Sequence, residues 1–491
     1  MTPKSEWKAG VVTRPATRLT TDVAVIGSGP GGSVAATVLA EAGFDVLVIE
    51  EGALIEAASL PLYSSAEMEA KYRNGGLTAA IGRPTVSYVE GRCVGGGSEV
   101  NGGLWFRTPS DVLDRWEHNH GVRLEGLDTH HDVIERELGG INACPPTPAG
   151  RKLHEGAAAL GWPSFEARCT LVDSELGQRR RGMSTTYLPR ALGAGARLLP
   201  RVRVIRLERS KSRWLIRSRS TADSTTPARA MTIEARNVVL AAGAIHTPAI
   251  LWRSGLRRAG RSLGLHATLK VVARFADEVN PTEKGRSKPR IPGAMVDEFS
   301  PGTNLECAVS GRAHLALELV HHAGGLNWLS DLERVAGYAA RIHNLYGAVH
   351  VVPGALDPVV TARWTKESLV ELGTATKRLC RMLLAAGATE LLPALDIDRP
   401  ISRERDIDRL EDTLPTHARP MTIHLTSSCP MGRECEGAVT DSFGRVHGAP
   451  DLSIADASIL PTAPRVNPQA TVMALARRNA SILAEELRTR R

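Results

Sequence analysis

An α/β fold with a parallel sheet in its N-terminal part is predicted by three features. The chain opens on a strand, a glycine-rich turn, a helix and a second strand, in DVAVIGSGPGGSVAATVLAEAGFDVLVIE at residues 22–50. A further apolar strand ending in small residues, NVVLAAGAIHTP, lies at residues 237–248. A long helix entered through Asn467-Pro468 lies near the end of the sequence.

In the first segment, Val23–Ile26 is short, apolar and β-branched, as a strand buried on both faces should be. Gly27, Gly29 and Gly32 then form GxGxxG, with Pro30 inside it. Gly27 permits the tight turn, Gly29 lets the backbone approach a pyrophosphate, and Gly32 lets the helix pack closely on the strand. The helix Ser33–Glu41 is rich in Ala and Leu and stops at Gly43. Its N-terminus turns free N–H groups toward phosphates. Phe44–Ile49 is the second strand. Glu50, 21 residues after Gly29, is placed to accept hydrogen bonds from an unphosphorylated ribose. The unit is a Rossmann-like dinucleotide site, and the motif alone does not separate FAD from NAD.

Next comes GRCVGGGSEVNGGLWFRTP at residues 91–109. Gly95, Gly96 and Gly97 make a loop whose backbone can press against something flat or charged. Ser98 and Asn101 supply side-chain hydrogen bonds beside it. Arg201–Leu207 alternates as a strand, in which Val204 either braces an adenine through its backbone or is a plain sheet position. After the strand at Asn237, Ala242 and Gly243 leave room for a nucleotide, and a helix is expected to start near Thr247-Pro248. Toward the C-terminus, Asp441–His447 suggests a hairpin-like element and Leu452–Asp456 a strand ending in an acid. Gln469 to about Glu486 reads as a helix, with Asn467 as N-cap and Pro468 at its first position. Elsewhere, Asp111–His120 and Glu367–Ala386 read as helices. Val309–Leu319 and Gly347–Val352 read as strands, and Asp277–Pro292 as a polar hairpin loop.

Composition narrows the function. The chain has 491 residues, 42% hydrophobic and 23% charged, which excludes a disordered tail, a fibre or a small disulfide scaffold. The net charge of +8 is scattered, its densest run is Arg179–Arg181, and aromatics are only 4%, so no nucleic-acid partner is expected. Seven cysteines at irregular spacing predict no metal site and suit a reducing cytoplasm. No apolar run of a spanning length is present, so no membrane span is expected.

The last block adds HLTSSCPMG at residues 424–432. With it, the four blocks stand in the order and spacing of the glucose–methanol–choline (GMC) oxidoreductases, which this sequence resembles. The resemblance implies a Rossmann-like FAD-binding domain, discontinuous in sequence, over residues 18–110, 195–265 and 438–491. It implies an α+β substrate-binding domain on a mostly antiparallel sheet over residues 111–194 and 266–437. It also implies oxidation of an alcohol, a primary one by preference, to an aldehyde or ketone, with hydride passing to flavin N5.

On the matching positions, His424 is the base that takes the hydroxyl proton, and Asn467 fills a second His-or-Asn position that holds the same oxygen. The helix behind Asn467 and Pro468 would favour the reduced flavin anion. Ser98 and Asn101 fall where the family touches the pyrophosphate or ring, with Gly95 and Gly97 of the same loop as further cofactor contacts, and Asp456 falls where it bonds ribityl or phosphate-side groups. Val100 stands where some members attach FAD through a histidine, so noncovalent FAD is expected. His246 and His417 are weaker catalytic candidates. Ser427-Ser428 departs from the family's small Gly-Thr pair.

The charged segment Asp396–Pro420 reads either as a solvated linker or as an acidic rim for a cationic substrate, with Glu411 and Asp412 nearest the site. An amino sugar, of the kind that family members oxidise in aminoglycoside-type biosynthesis, would suit such a rim. The alternatives are a long-chain or sterol alcohol, or an FAD-dependent lyase or isomerase reaction on the same fold. The expected electron acceptor is oxygen or an unidentified carrier, and the expected assembly a monomer or homodimer.

Overall fold

The computed structural model describes residues 10–12, 17–56, 59–174, 177–221, 228–280, 282–283, 286–287 and 293–490. At the centre of the first sheet, strand Arg18–Ile26 pairs in parallel with Val46–Ile49 on one side and Ala230–Leu240 on the other. Arg197–Leu199 extends the sheet beyond Val46–Ile49, and Ala449–Ile454 adds in parallel to the far end of Ala230–Leu240. The near end of that strand instead continues antiparallel into Arg213–Ser220 and then Val202–Ser210. Val23, Ala24, Val25, Val46, Leu47 and Val48 have no exposed surface, as strands covered on both faces require.

The first helix runs from Pro30 to Glu41. It begins three residues before Ser33 because Pro30, with its fixed φ and missing N–H, suits a first turn. Close packing explains the neighbouring glycines. A Cβ on Gly31 would lie 1.7 Å from the carbonyl oxygen of Ala455, and one on Gly32 would lie 2.1 Å from that of Gly27.

The helix expected near Thr247-Pro248 instead spans Gly243–Arg253, with Pro248 inside it. Proline there cannot donate to the carbonyl of Ala244, four residues back. The hydroxyl of Ser428 donates to that carbonyl instead, at 2.6 Å. Val309–Leu319 is also corrected, because Arg312–Leu319 is a helix. Its buried residues, Leu315 and Leu319, are four apart, which is a helical spacing. The final helix, Gln469–Thr489, lies where it was expected. Its N-cap residue is Pro468, and Asn467 does not cap it.

The second sheet has eleven strands and is largely antiparallel. Its backbone is the long pair Leu263–Phe275 and Val335–His350. Two parallel pairings interrupt the pattern, Val359–Arg363 with Thr78–Ile81 and Met421–Thr422 with Val86–Tyr88. The helix Lys366–Ala385 buries Leu372, Leu379 and Leu383 in the core under this sheet.

These pairings shift the domain boundaries. Thr78–Ile81 and Val86–Tyr88 belong to the second sheet although they lie within residues 18–110. Conversely, Val112 and Trp116 of helix Ser110–His120 share a core with Ala24 and Ile26. Ile134, Tyr187 and Leu188 pack with Val34, Leu39 and Met473. The helices Ser110–His120, Leu127–Glu137 and Tyr187–Gly193 therefore cover the nucleotide-binding layer, whereas Pro148–Ala159 buries Ala149, Leu153 and Ala157 in the core of the substrate sheet.

Candidate active site

Segments far apart in sequence meet in one cavity. Its lining includes Gly27, Gly29, Pro30, Glu50, Gly97, Asn101, Val204, Ala242, Gly243, His424, Asp456, Asn467 and Pro468. Gly32, Gly95 and Ser98 stand outside this lining. Gly32 seats the first helix on the turn. Ser98 Oγ donates to the carbonyl of Gly95 at 2.8 Å and accepts from the N–H of Met183 at 2.9 Å, so it braces the glycine loop from behind.

The turn after the first strand is shaped for close approach. Gly27 has φ +104, and a Cβ there would lie 2.2 Å from the carbonyl oxygen of Ala241. Gly29 is the opposite case: a Cβ on it would meet nothing within 4 Å, and the same holds at Gly97 and Gly243. Three bare backbone faces thus look into the cavity where a ligand's own atoms would otherwise meet side chains.

Ser28, which the sequence reading passed over, ties this turn together. Its hydroxyl donates to Glu50 Oε2 at 2.7 Å and accepts from the N–H of Gly95 at 3.0 Å. Glu50 also accepts from the N–H groups of Ser28 and Gly52. Burial raises the Glu50 pKa, and those hydrogen bonds oppose the rise. Beside it, burial would raise the pKa of Glu51 too, but Arg73 overrides this and holds it at about 2.

Asp456 lines the cavity, yet both of its oxygens are engaged by protein. Oδ2 accepts from the N–H of Gly243 and the hydroxyl of Thr247, and Oδ1 from the N–H of Ser458. It therefore fastens the start of the Gly243–Arg253 helix rather than presenting a free carboxylate. Asn101 bonds Gln469 Oε1 at 2.5 Å, linking the glycine loop to the final helix.

His424 is 6% exposed, and its pKa lies well below the ordinary histidine value through burial, then through Arg341 and His343. It is therefore neutral near pH 7. Asn467 Oδ1 is buried and has no hydrogen-bond partner, a state that buried polar groups rarely keep without a ligand or water. Its amide oxygen is consequently free of the protein, and Asn467 lines the same cavity as His424.

Of the weaker candidates, His246 lines the cavity with Nε2 3.7 Å from Glu90 Oε2, whereas His417 is exposed and outside the lining. The acidic rim is not at the site. Glu411 and Asp412 are outside the lining, and Asp412 pairs with Lys377 at 2.6 Å. Sequence reasoning missed His266, whose Nδ1 lies 2.9 Å from Nδ1 of His424. The only signal was a histidine in the apolar first half of the strand Leu263–Phe275. Among the described residues no group of three or more His, Cys, Asp or Glu is arranged to hold a metal, and no helix is long and apolar enough to cross a membrane.

Comparison with known proteins identifies the family. Residues 68–268 and 349–476 match the two GMC oxidoreductase family models, and residues 20–89 match an FAD binding domain. The chain belongs to the GMC oxidoreductase family. An uncharacterized GMC-type oxidoreductase, y4nJ of Sinorhizobium fredii (strain NBRC 101917 / NGR234), is 35% identical over 96% of both chains. The long-chain-alcohol oxidase FAO4A of Arabidopsis thaliana is 27% identical over 95% of this chain and 68% of its own. Paromamine 6'-oxidase of Streptomyces fradiae is 26% identical over 96% and 92%. Among solved structures, a variant of formate oxidase from Aspergillus oryzae RIB40 superposes with a TM-score of 0.74. It is 16% identical and covers 97% of this chain and 100% of that one, a likeness of fold.

As a GMC oxidoreductase, the protein uses FAD to oxidise an alcohol-type substrate. The residues present fit the cofactor. The bare faces of Gly29, Gly97 and Gly243 accommodate a close-lying phosphate chain and ring, and Glu50 stands at the end of the second strand, the ribose position of such motifs. Val100, on the wall beside them, offers no nucleophile for a covalent link.

Proposed function

We propose that His424 is the base and Asn467 the oxygen-holding partner in the oxidation of a polar primary alcohol, an amino sugar being the favoured class. The bound FAD would supply the hydride acceptor. His424, neutral through burial, accepts the hydroxyl proton on the ring nitrogen that faces the cavity. Asn467 donates an amide N–H to the same oxygen, which fixes the alcohol's lone pairs and the direction of its carbinol hydrogen. The buried walls exclude bulk water from the proton transfer.

The observation that carries this reading is the buried, unpaired amide oxygen of Asn467 in the cavity that His424 also lines. The substrate class draws support from paromamine 6'-oxidase, which is co-extensive with this chain, whereas the plant long-chain-alcohol oxidase has about a third of its length outside the match. The second reading, a long-chain alcohol, is favoured by several plant alcohol oxidases at 26–28% identity.

Anaerobic mixing of the holoprotein with paromamine, glucosamine or 1-dodecanol tests both. Bleaching of the flavin band by the amino sugars but not by dodecanol is the expected result. The reverse pattern overturns the substrate class, and wild-type bleaching by His424→Ala overturns the base.

A further inference from the structure

Behind His424 lies a second buried histidine that the reaction outlined above leaves unused. His266 is 1% exposed, and its ring stands at 89° to that of His424, Nδ1 to Nδ1 at 2.9 Å. Strand Leu263–Phe275 slips register against Val335–His350 between Leu265 and Ala267, so His266 sits at the irregularity. Such bulges re-aim a side chain beside a working site. There His266 packs edge-on against His343, with ring centroids 4.8 Å apart. His343 is separately committed: its Nε2 is 2.7 Å from Asn304 Oδ1, and the same amide donates through Nδ2 to Asp297 at 2.9 Å.

Proton counting sharpens the role of the pair. Burial, reinforced by Arg341, lowers the pKa of both rings, so the two are neutral and one proton occupies the gap between the Nδ1 atoms. If His266 donates that proton, the proton belonging to His424 sits on Nε2, and the ring has no lone pair for the cavity. If His424 donates it, its Nε2 is bare and can act as a base, and the proton of His266 sits on that ring's own Nε2, which is buried without a partner. The second arrangement is also the one needed after proton uptake, when His424 carries protons on both nitrogens and its Nδ1–H requires an acceptor. His266 Nδ1 is the atom within hydrogen-bond distance of it. Holding that direction beforehand spares any rearrangement during the transfer.

We infer that His266 is a positioning residue: it accepts the Nδ1–H of His424 and so holds His424 in its base-competent tautomer. The inference rests on the reading of His424 as the base. It assigns the ring behind His424 the part that a carboxylate or carbonyl plays behind other catalytic histidines, with a neutral group in its place.

The test uses holoprotein labelled with 15N-histidine. Two-bond proton–nitrogen spectra report the tautomer of His424, with His424→Gln giving the assignment. Flavin reduction by paromamine or 1-dodecanol, whichever bleaches the wild type, reports function. The expected wild-type spectrum has His424 protonated on Nδ1 and bare on Nε2. His266→Phe removes the acceptor, and should give mixed tautomers and reduction slower by roughly 10- to 100-fold at unchanged flavin occupancy. His266→Asn places a carbonyl oxygen near the lost Nδ1, and should restore the wild-type tautomer and most of the rate. A wild-type His424 protonated on Nε2 overturns the inference, even if His266→Phe fails to fold. So does a folded His266→Phe that is reduced at the wild-type rate. Normal reduction of His424→Ala would instead remove the base reading, while the spectrum still reports on the pair.

Discussion

Two neighbouring glycines should separate cofactor binding from folding. Gly29→Ala adds a methyl group that meets no protein atom within 4 Å, at a backbone φ of −66 that alanine adopts freely. Its effect on the folded apoprotein should be small, a gain of about 0.4–1 kcal/mol from the stiffer unfolded chain. With the pyrophosphate assigned to this turn, the same methyl would occupy the space that it needs. Displacing the phosphates from one or two charge-assisted backbone hydrogen bonds costs about 1.5–3 kcal/mol each, so FAD affinity should fall by roughly 10- to 10⁴-fold. Gly31→Ala directs its methyl 1.7 Å from the carbonyl oxygen of Ala455, against backbone that cannot rotate away. That overlap should cost about 3 kcal/mol or more and lower Tm even in the apoprotein. The assay is a thermal melt of each apoprotein, followed by FAD titration read by flavin fluorescence quenching. A Gly29→Ala protein that binds FAD like the wild type would refute the assignment of this turn to the pyrophosphate. A Gly31→Ala protein that melts like the wild type would refute the packing argument.

Three further predictions follow from the same geometry. His424→Ala should retain the flavin and lose roughly 10²- to 10⁴-fold of alcohol oxidation, measured as anaerobic flavin reduction. Asn467→Ala removes a buried amide oxygen that has no partner, so its Tm should hold or rise while turnover falls about 10- to 100-fold, mostly in kcat; a lower Tm would mean that the amide serves the fold. The pH dependence of stability has a definite sign. His266 and His424 bind protons more weakly folded than unfolded, so their contribution to stability is full above about pH 6.5 and declines below it by about 1.4 kcal/mol per pH unit for each group. Relative to the wild type, His266→Phe should therefore lose less Tm between pH 7 and pH 5, and parallel melting curves would contradict the burial-driven shift.

How much of this was legible follows from range. The strand–turn–helix–strand at residues 22–50 is a local pattern of apolar period and glycine placement, and it reads directly. The helix Gly243–Arg253 was placed several residues late because proline ordinarily marks a boundary. The Ser428 hydroxyl that satisfies Ala244 comes from 184 residues away, and no local rule anticipates it. Asn467-Pro468 looked like a cap because the two residue types favour one, yet the side chain of Asn467 turns to the cavity instead. His266 was invisible for a related reason: its meaning depends on a register slip between two long strands and on a partner 158 residues away. The domain boundaries erred where helices cross from one layer to the other, a property of packing that sequence order does not carry.

The buried histidines trade basicity for readiness. An imidazole at the surface near pH 6.5 is partly protonated, whereas His424, desolvated and facing the field of Arg341, is neutral throughout that range. The same surroundings make an isolated imidazolium costly. The cost falls if the charge appears only together with an alkoxide next to it, because a contact ion pair is far less penalised in a dry wall than a single ion. Proton transfer is then favoured only when an alcohol oxygen is held close, which is the part proposed for Asn467. A base weakened in this way resists protonation by solvent while the cavity is empty. On the proposed roles it would also release its proton readily to solvent once the alkoxide has become a carbonyl, so the groups that lower its pKa and the residue that holds the substrate would serve the same step.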